Sequence, residues 1–71
     1  TIIGFEIFNK SRISLKIFNL LGENIAELAN REFSAGYNKI EFTAFNISSG
    51  IYFYELSSDN FRDAKKMIVL K

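Results

Sequence analysis

The chain has 71 residues, 48% of them apolar and 15% aromatic, and a net charge of +1, which allows one domain and no more. It contains no His and no Cys, which removes the commonest general base, imidazole and thiolate metal ligands, and any disulfide staple. No apolar run approaches the roughly 18 residues of a membrane-spanning helix, and no signal peptide opens at Thr1.

In chain order, the first run is Ile3-Gly4-Phe5-Glu6-Ile7-Phe8, which alternates as a strand with Ile3, Phe5 and Ile7 on its buried face. The chain begins without Met and already inside this alternation, so it reads as an excised fragment of a longer protein. Residues 9–12 form a polar turn. Residues 13–18 give the cleanest two-residue period: Ile13, Leu15 and Ile17 point inward, Ser14 and Lys16 outward, and Phe18 breaks the pattern. Gly22 is placed for the positive-φ position of a hairpin loop. At least one of Leu20 and Leu21 is expected to fold back beneath that loop and close the end of the core.

Residues 24–29 are ambiguous. Ile25, Leu28 and Ala29 have helical spacing, but the run is short, and a strand with a bulge also brings Ile25 and Leu28 to one side. The strand is the reading adopted. Residues 30–36 are expected to form a longer loop with Phe33 tucked in. Residues 37–42 form a strand with Ile40 and Phe42 inward and Lys39 and Glu41 in water. Residues 43–49, with Phe45 and Ile47 as apolar anchors, cross to another layer.

The crossing leads into Gly50-Ile51-Tyr52-Phe53-Tyr54-Glu55-Leu56, a strand with Tyr52, Tyr54 and Leu56 on one face and Ile51, Phe53 and Glu55 on the other. Apolar and aromatic residues on both faces place it in the middle of a sheet. After a turn at residues 57–60, residues 61–71 close the chain, charged in their first half and apolar at 67–70. Lysines on such a strand guard a sheet edge against pairing with other chains. Short strands with turns about every six to ten residues predict an all-β antiparallel sandwich, with a small barrel as the alternative.

The last ten residues hold four basic side chains and one acidic, whereas the first 61 hold five basic and seven acidic. That basic end is too small for a nucleic-acid footprint. It reads either as a solvated, lysine-guarded edge or as an electrostatic handle for a partner approaching the end of the chain.

No catalytic constellation emerges. Glu6, Glu41, Glu55 and Asp59 sit on strand faces or in turns rather than in a cleft pattern. Ser48-Ser49-Gly50 leads into a strand, not out of one into a helix, so it is turn chemistry and not a nucleophile elbow. Asp59-Asn60 falls well short of a Ca²⁺ ligand set. Phe53 and Tyr37 are the only candidates for stacking on a sugar, and core or sheet-surface packing explains them better. Asn46-Ile47-Ser48 is a formal glycosylation sequon and carries no weight here.

Four segments, taken in order, carry a resemblance: Ser14-Leu15-Lys16-Ile17-Phe18-Asn19-Leu20-Leu21-Gly22-Glu23, Ser34-Ala35-Gly36-Tyr37-Asn38-Lys39-Ile40-Glu41-Phe42, Asn46-Ile47-Ser48-Ser49-Gly50-Ile51-Tyr52-Phe53-Tyr54-Glu55-Leu56, and Lys65-Lys66-Met67-Ile68-Val69-Leu70-Lys71. The set resembles the type A C-terminal sorting domain of the type IX (Por) secretion system, itself similar to the Ig-like domain of the flagellar hook-capping protein. The resemblance runs from about Ile2 to Lys71.

The resemblance implies an Ig-like antiparallel β-sandwich of six to seven short strands, without catalytic, cofactor or metal sites, at the C-terminus of exported proteins of Bacteroidetes and related bacteria. Its implied partners are the outer-membrane type IX machinery, a sortase-like peptidase and an N-terminal passenger protein, and its implied destination is secreted or cell-surface. On the family pattern Gly36 and Gly50 are backbone positions and Lys65, Lys66 and Lys71 belong to the terminal motif; the lysines are the candidates for partner recognition, and Gly22, Tyr52 and Tyr54 join the two glycines as structural residues. The Asn-Pro motif that usually precedes the first strand is missing, and a missing first strand would leave a sheet edge open to pairing between copies. The alternatives are an Ig-like accessory, spacer or carbohydrate-binding module of a secreted enzyme and, third, a hook-cap assembly domain.

Overall fold

The computed structural model describes residues 2–43 and 47–70; the expected anchor Phe45, Asn46 of the sequon, and Lys71 lie outside the described residues. The strands are β1 (Ile2–Ile7), β2 (Ser11–Phe18), β3 (Asn24–Phe33), β4 (Gly36–Glu41), β5 (Gly50–Ser57) and β6 (Arg62–Val69), with no helix among the described residues. β1 and β4 form one sheet, and β3-β2-β5-β6, in that order, form the other. Every pairing is antiparallel. This places the first and fourth strands opposite a third-second-fifth-sixth sheet, the B-E against C′-C-F-G order of an immunoglobulin-like sandwich.

The core follows from the alternation. β2 has a neighbour on each side, and its inward Ile13, Leu15 and Ile17 are fully buried. Ile3, Phe5 and Ile7 oppose them from the small sheet, with Phe33, Phe42, Tyr52, Leu56 and Val69 completing the cluster. Phe5 meets Phe33 edge-on, ring centres 5.2 Å apart. The Arg31 guanidinium lies over the Phe33 ring, 3.9 Å from its centre. The segment at Gly50 does cross between layers, since β4 and β5 belong to different sheets, and β5 lies inside its sheet between β2 and β6. Ile47 packs partly buried against the core.

Two expectations are corrected. Residues 30–33 are not loop: β3 continues through Phe33, and only residues 34–35 separate it from β4. Asn30 to Phe33 pair with Ser14 to Ser11 of β2, and Arg12 donates to both the side-chain and main-chain oxygens of Asn30. An edge strand held by such pairing keeps polar side chains in water without needing hydrophobic alternation. The second correction concerns Leu20 and Leu21, which are 66% and 85% exposed and close nothing. Asn19 explains this. Its Oδ1 accepts from the amides of Leu21 and Glu23, its Nδ2 donates to Glu23, and its carbonyl accepts from Gly22. The loop is closed by polar bonds within itself, and the leucines are turned outward.

The ambiguous segment is strand, bulged twice. Leu15 pairs with Ala29 and Lys16 with Glu27, passing over Leu28; Ile17 pairs with Ala26 and Phe18 with Asn24, passing over Ile25. Two bulges three residues apart give the helical spacing seen in the sequence.

Candidate functional site

β6 pairs with β5 on one side and ends the larger sheet on the other. Lys65 and Lys66 are both exposed on it, but consecutive strand residues point to opposite faces, so they do not act together on one surface. Lys65 lies opposite Tyr54 and Lys66 opposite Phe53. Lys71 lies outside the described residues.

The outer face of the large sheet divides into two ends. At one end Arg62 pairs with Glu55 at 3.7 Å, and Arg12, Lys16 and Ser57 keep the surface polar. At the other end Phe18, Phe53 and Lys66 share one cross-strand row, and Ile51 and Ile68 form the next. Ile51 and Ile68 are 39% and 61% exposed. Lys66 therefore stands at the margin of an apolar strip, one row from Glu55, whose carboxylate pairs with Arg62. The sequence reading placed Ile51 and Phe53 on this face but missed their grouping with Phe18 and Ile68, which only the strand register supplies.

Lys65 occupies the inner face of β6 with Asp63, Met67 and Val69. Val69 is buried, but Lys65 and Asp63 are exposed because the two-stranded sheet does not reach over them. Instead they line a groove with Tyr54 and with residues 3–6 of β1.

Gly22, with φ +83°, turns the β2–β3 hairpin, and Gly36, with φ +112°, starts β4; both conformations exclude a side chain at little strain. Gly50 opens β5 opposite Val69. Tyr52 is buried and its hydroxyl donates to the Ser48 carbonyl at 2.7 Å, while Tyr54 is half-buried on the same face. A tyrosine bonded to the backbone a few residues upstream, at the start of the fifth strand, matches the tyrosine corner of immunoglobulin-like sandwiches.

The carboxylates are dispersed. Glu6 pairs with Tyr37 and Glu41 with Ile2, at opposite ends of the small sheet's outer face. Glu55 is tied to Arg62, and Asp59 lies in the β5–β6 turn. Among the described residues no three metal-binding side chains cluster. The two sugar-stacking candidates do not form one platform either, because Tyr37 lies on the outer face of the small sheet and Phe53 on the outer face of the large one.

A protein-family model described as a secretion system C-terminal sorting domain matches residues 2–70. No curated protein and no solved structure matches the chain.

Proposed function

Since the chain belongs to the family of secretion system C-terminal sorting domains, we propose that it is the export address of a type IX substrate, directing an N-terminal passenger protein through the outer membrane to the medium or the cell surface. The family match over residues 2–70, which includes all six strands, carries this reading. The geometry supports it: an address needs a stable scaffold and a distinctive surface, and the dispersed carboxylates serve no evident chemistry.

The groups offered to the outer-membrane machinery are the lysines of the terminal motif, Lys66 on the outer face of β6, Lys65 on its inner face, and Lys71. Lys66 beside Phe53 and Ile68 combines charge with apolar area, the combination that gives a recognition surface both steering and contact energy. A sortase-like peptidase that removes the domain acts on the same exported species.

The test is a periplasmic reporter fused to the N-terminus of the 71-residue chain in a type IX-competent host. Reporter in the medium or on the surface, absent when the domain is replaced by an unrelated β-sandwich, supports the proposal. Equal export with and without the domain rejects it.

A further inference from the structure

Two turns at one end of the sandwich enclose a cleft that the sorting reading does not use. One wall is the β1–β2 turn and the start of β2, with Lys10 and Arg12; the other is the β5–β6 turn, with Ser58, Asp59 and Asn60. This polar part measures about 320 Å³ and contains no residue of β1, so it does not depend on what lies beside that strand. Past Ser11 and Ser58 it opens into a part of about 430 Å³ bordered by Phe8 and Phe61, which are 87% and 41% exposed.

The polar groups are held in place by the protein itself. The Ser58 amide donates to the Phe61 carbonyl at 2.9 Å and the Asn60 amide to Ser58 Oγ at 3.2 Å, which closes the β5–β6 turn. Ser11 Oγ donates to the Asn9 carbonyl at 2.9 Å, and Lys10 pairs with Glu32 at 3.3 Å. Arg12 is fixed by Asn30 through Nε and Nη2, which leaves its Nη1 donors open. Among the described residues the Asp59 carboxylate has no ion pair and no hydrogen bond. Groups set in advance lose little freedom when a ligand binds.

Charge narrows the ligand. Lys10 and Arg12 are matched by Glu32 and Asp59, so the rim is neutral. An anion meets two carboxylates and a cation meets two bases, and neither gains from the site as a whole. The open groups are donors on Arg12, an acceptor on Asp59, and the Ser58 hydroxyl and Asn60 amide, which do both. Their complement is a set of hydroxyls, each of which donates and accepts. Beside them Phe8 and Phe61 offer ring surface for an apolar C–H face. We infer that the cleft binds a neutral oligosaccharide, one ring hydrogen-bonded to Arg12, Ser58 and Asp59 and the next stacked on Phe61. The inference is independent of the sorting reading, because Lys66 and its apolar strip lie at the opposite end of the large sheet.

The test is a heteronuclear NMR titration of the 71-residue chain with maltotriose, cellotriose and mannotriose, beside the trimers of glucuronate and glucosamine as charged analogues. Expected with at least one neutral sugar are shifts at Arg12, Ser58, Asp59 and Asn60 at millimolar concentration, and tighter binding than either charged trimer gives. Asp59→Ala, in an exposed turn, should weaken binding about tenfold. Phe61→Leu, which keeps apolar bulk and removes the ring, should weaken it about fivefold, and Phe53→Leu should leave it unchanged. Any of five results overturns the inference: no shift from any neutral sugar, shifts centred on Phe53 or Tyr37, a charged trimer that binds as tightly, parental binding by Asp59→Ala, or loss of the shifts in a longer chain with further N-terminal residues.

Discussion

The Tyr52 hydroxyl donates a 2.7 Å hydrogen bond to the carbonyl of Ser48, four residues upstream. The bond spans the last step of the crossing between sheets and fixes where β5 begins. Tyr52→Phe keeps the buried ring and removes only the donor, leaving a partly buried carbonyl short of a partner. The expected loss is about 1 kcal/mol, read as a lower urea midpoint with an unchanged slope. A midpoint within error of the parent would show that the corner is held by the ring alone.

The core admits little damage. A domain of 71 residues holds roughly 4–10 kcal/mol in total, and Leu15, with no exposed surface, loses about 3–5 kcal/mol as Leu15→Ala. That variant should unfold at a markedly lower temperature than the parent by circular dichroism. Ile13→Val, one methylene smaller, should fold and lose about 1 kcal/mol.

Ser14 presents the opposite case. Its Oγ is buried and, among the described residues, has no hydrogen-bond partner. Removing an unsatisfied hydroxyl relieves a desolvation cost, so Ser14→Ala should be neutral or raise stability by up to about 1 kcal/mol. A clear loss in thermal unfolding would mean that an ordered water satisfies the hydroxyl.

Gly4 sits in β1 with the Tyr37 ring across it, so that a Cβ at Gly4 would collide with the tyrosine hydroxyl. Gly→Ala within a strand ordinarily stabilises through the unfolded chain. Here the sign should invert: Gly4→Ala destabilises while Tyr37 is present and becomes neutral or favourable in Tyr37→Ala. A double-mutant cycle should give a coupling of about 0.5–3 kcal/mol. Additive effects would show that the ring swings aside at no cost.

The strands were legible wherever burial alternates, as in Ile3-Phe5-Ile7 and Ile13-Leu15-Ile17, because one residue in two must leave water. Legibility failed where local bonding overrides that demand. Leu20 and Leu21 looked like core residues, but Asn19 closes their loop with its own side chain. Asn30, Arg31 and Glu32 looked like loop because an edge strand places few constraints on its side chains. Ile25 and Leu28 looked helical because a bulge shifts the period by one. Lys65 and Lys66 were visible as a basic pair, but their facing opposite ways matters only once β6 is known to be flanked by a groove on one side and an apolar strip on the other.

That opposition also tests recognition. Both lysines are exposed, so reversing either charge should change stability by no more than about 0.5 kcal/mol, and export can be measured on folded protein. Truncation at Ala64 is a poorer probe, because it removes buried Val69 and half of β6, and with them the fold. If the machinery reads the terminal lysines, Lys65→Glu combined with Lys66→Glu should cut reporter export by about tenfold or more. Lys66→Glu should account for most of that loss, because its charge borders the apolar strip of Phe18, Phe53, Ile51 and Ile68. Equal losses from the two single variants would indicate that the edge of β6 is read rather than a face. Full export of the folded double variant would reject Lys65 and Lys66 as the recognised groups while leaving the family's sorting role intact.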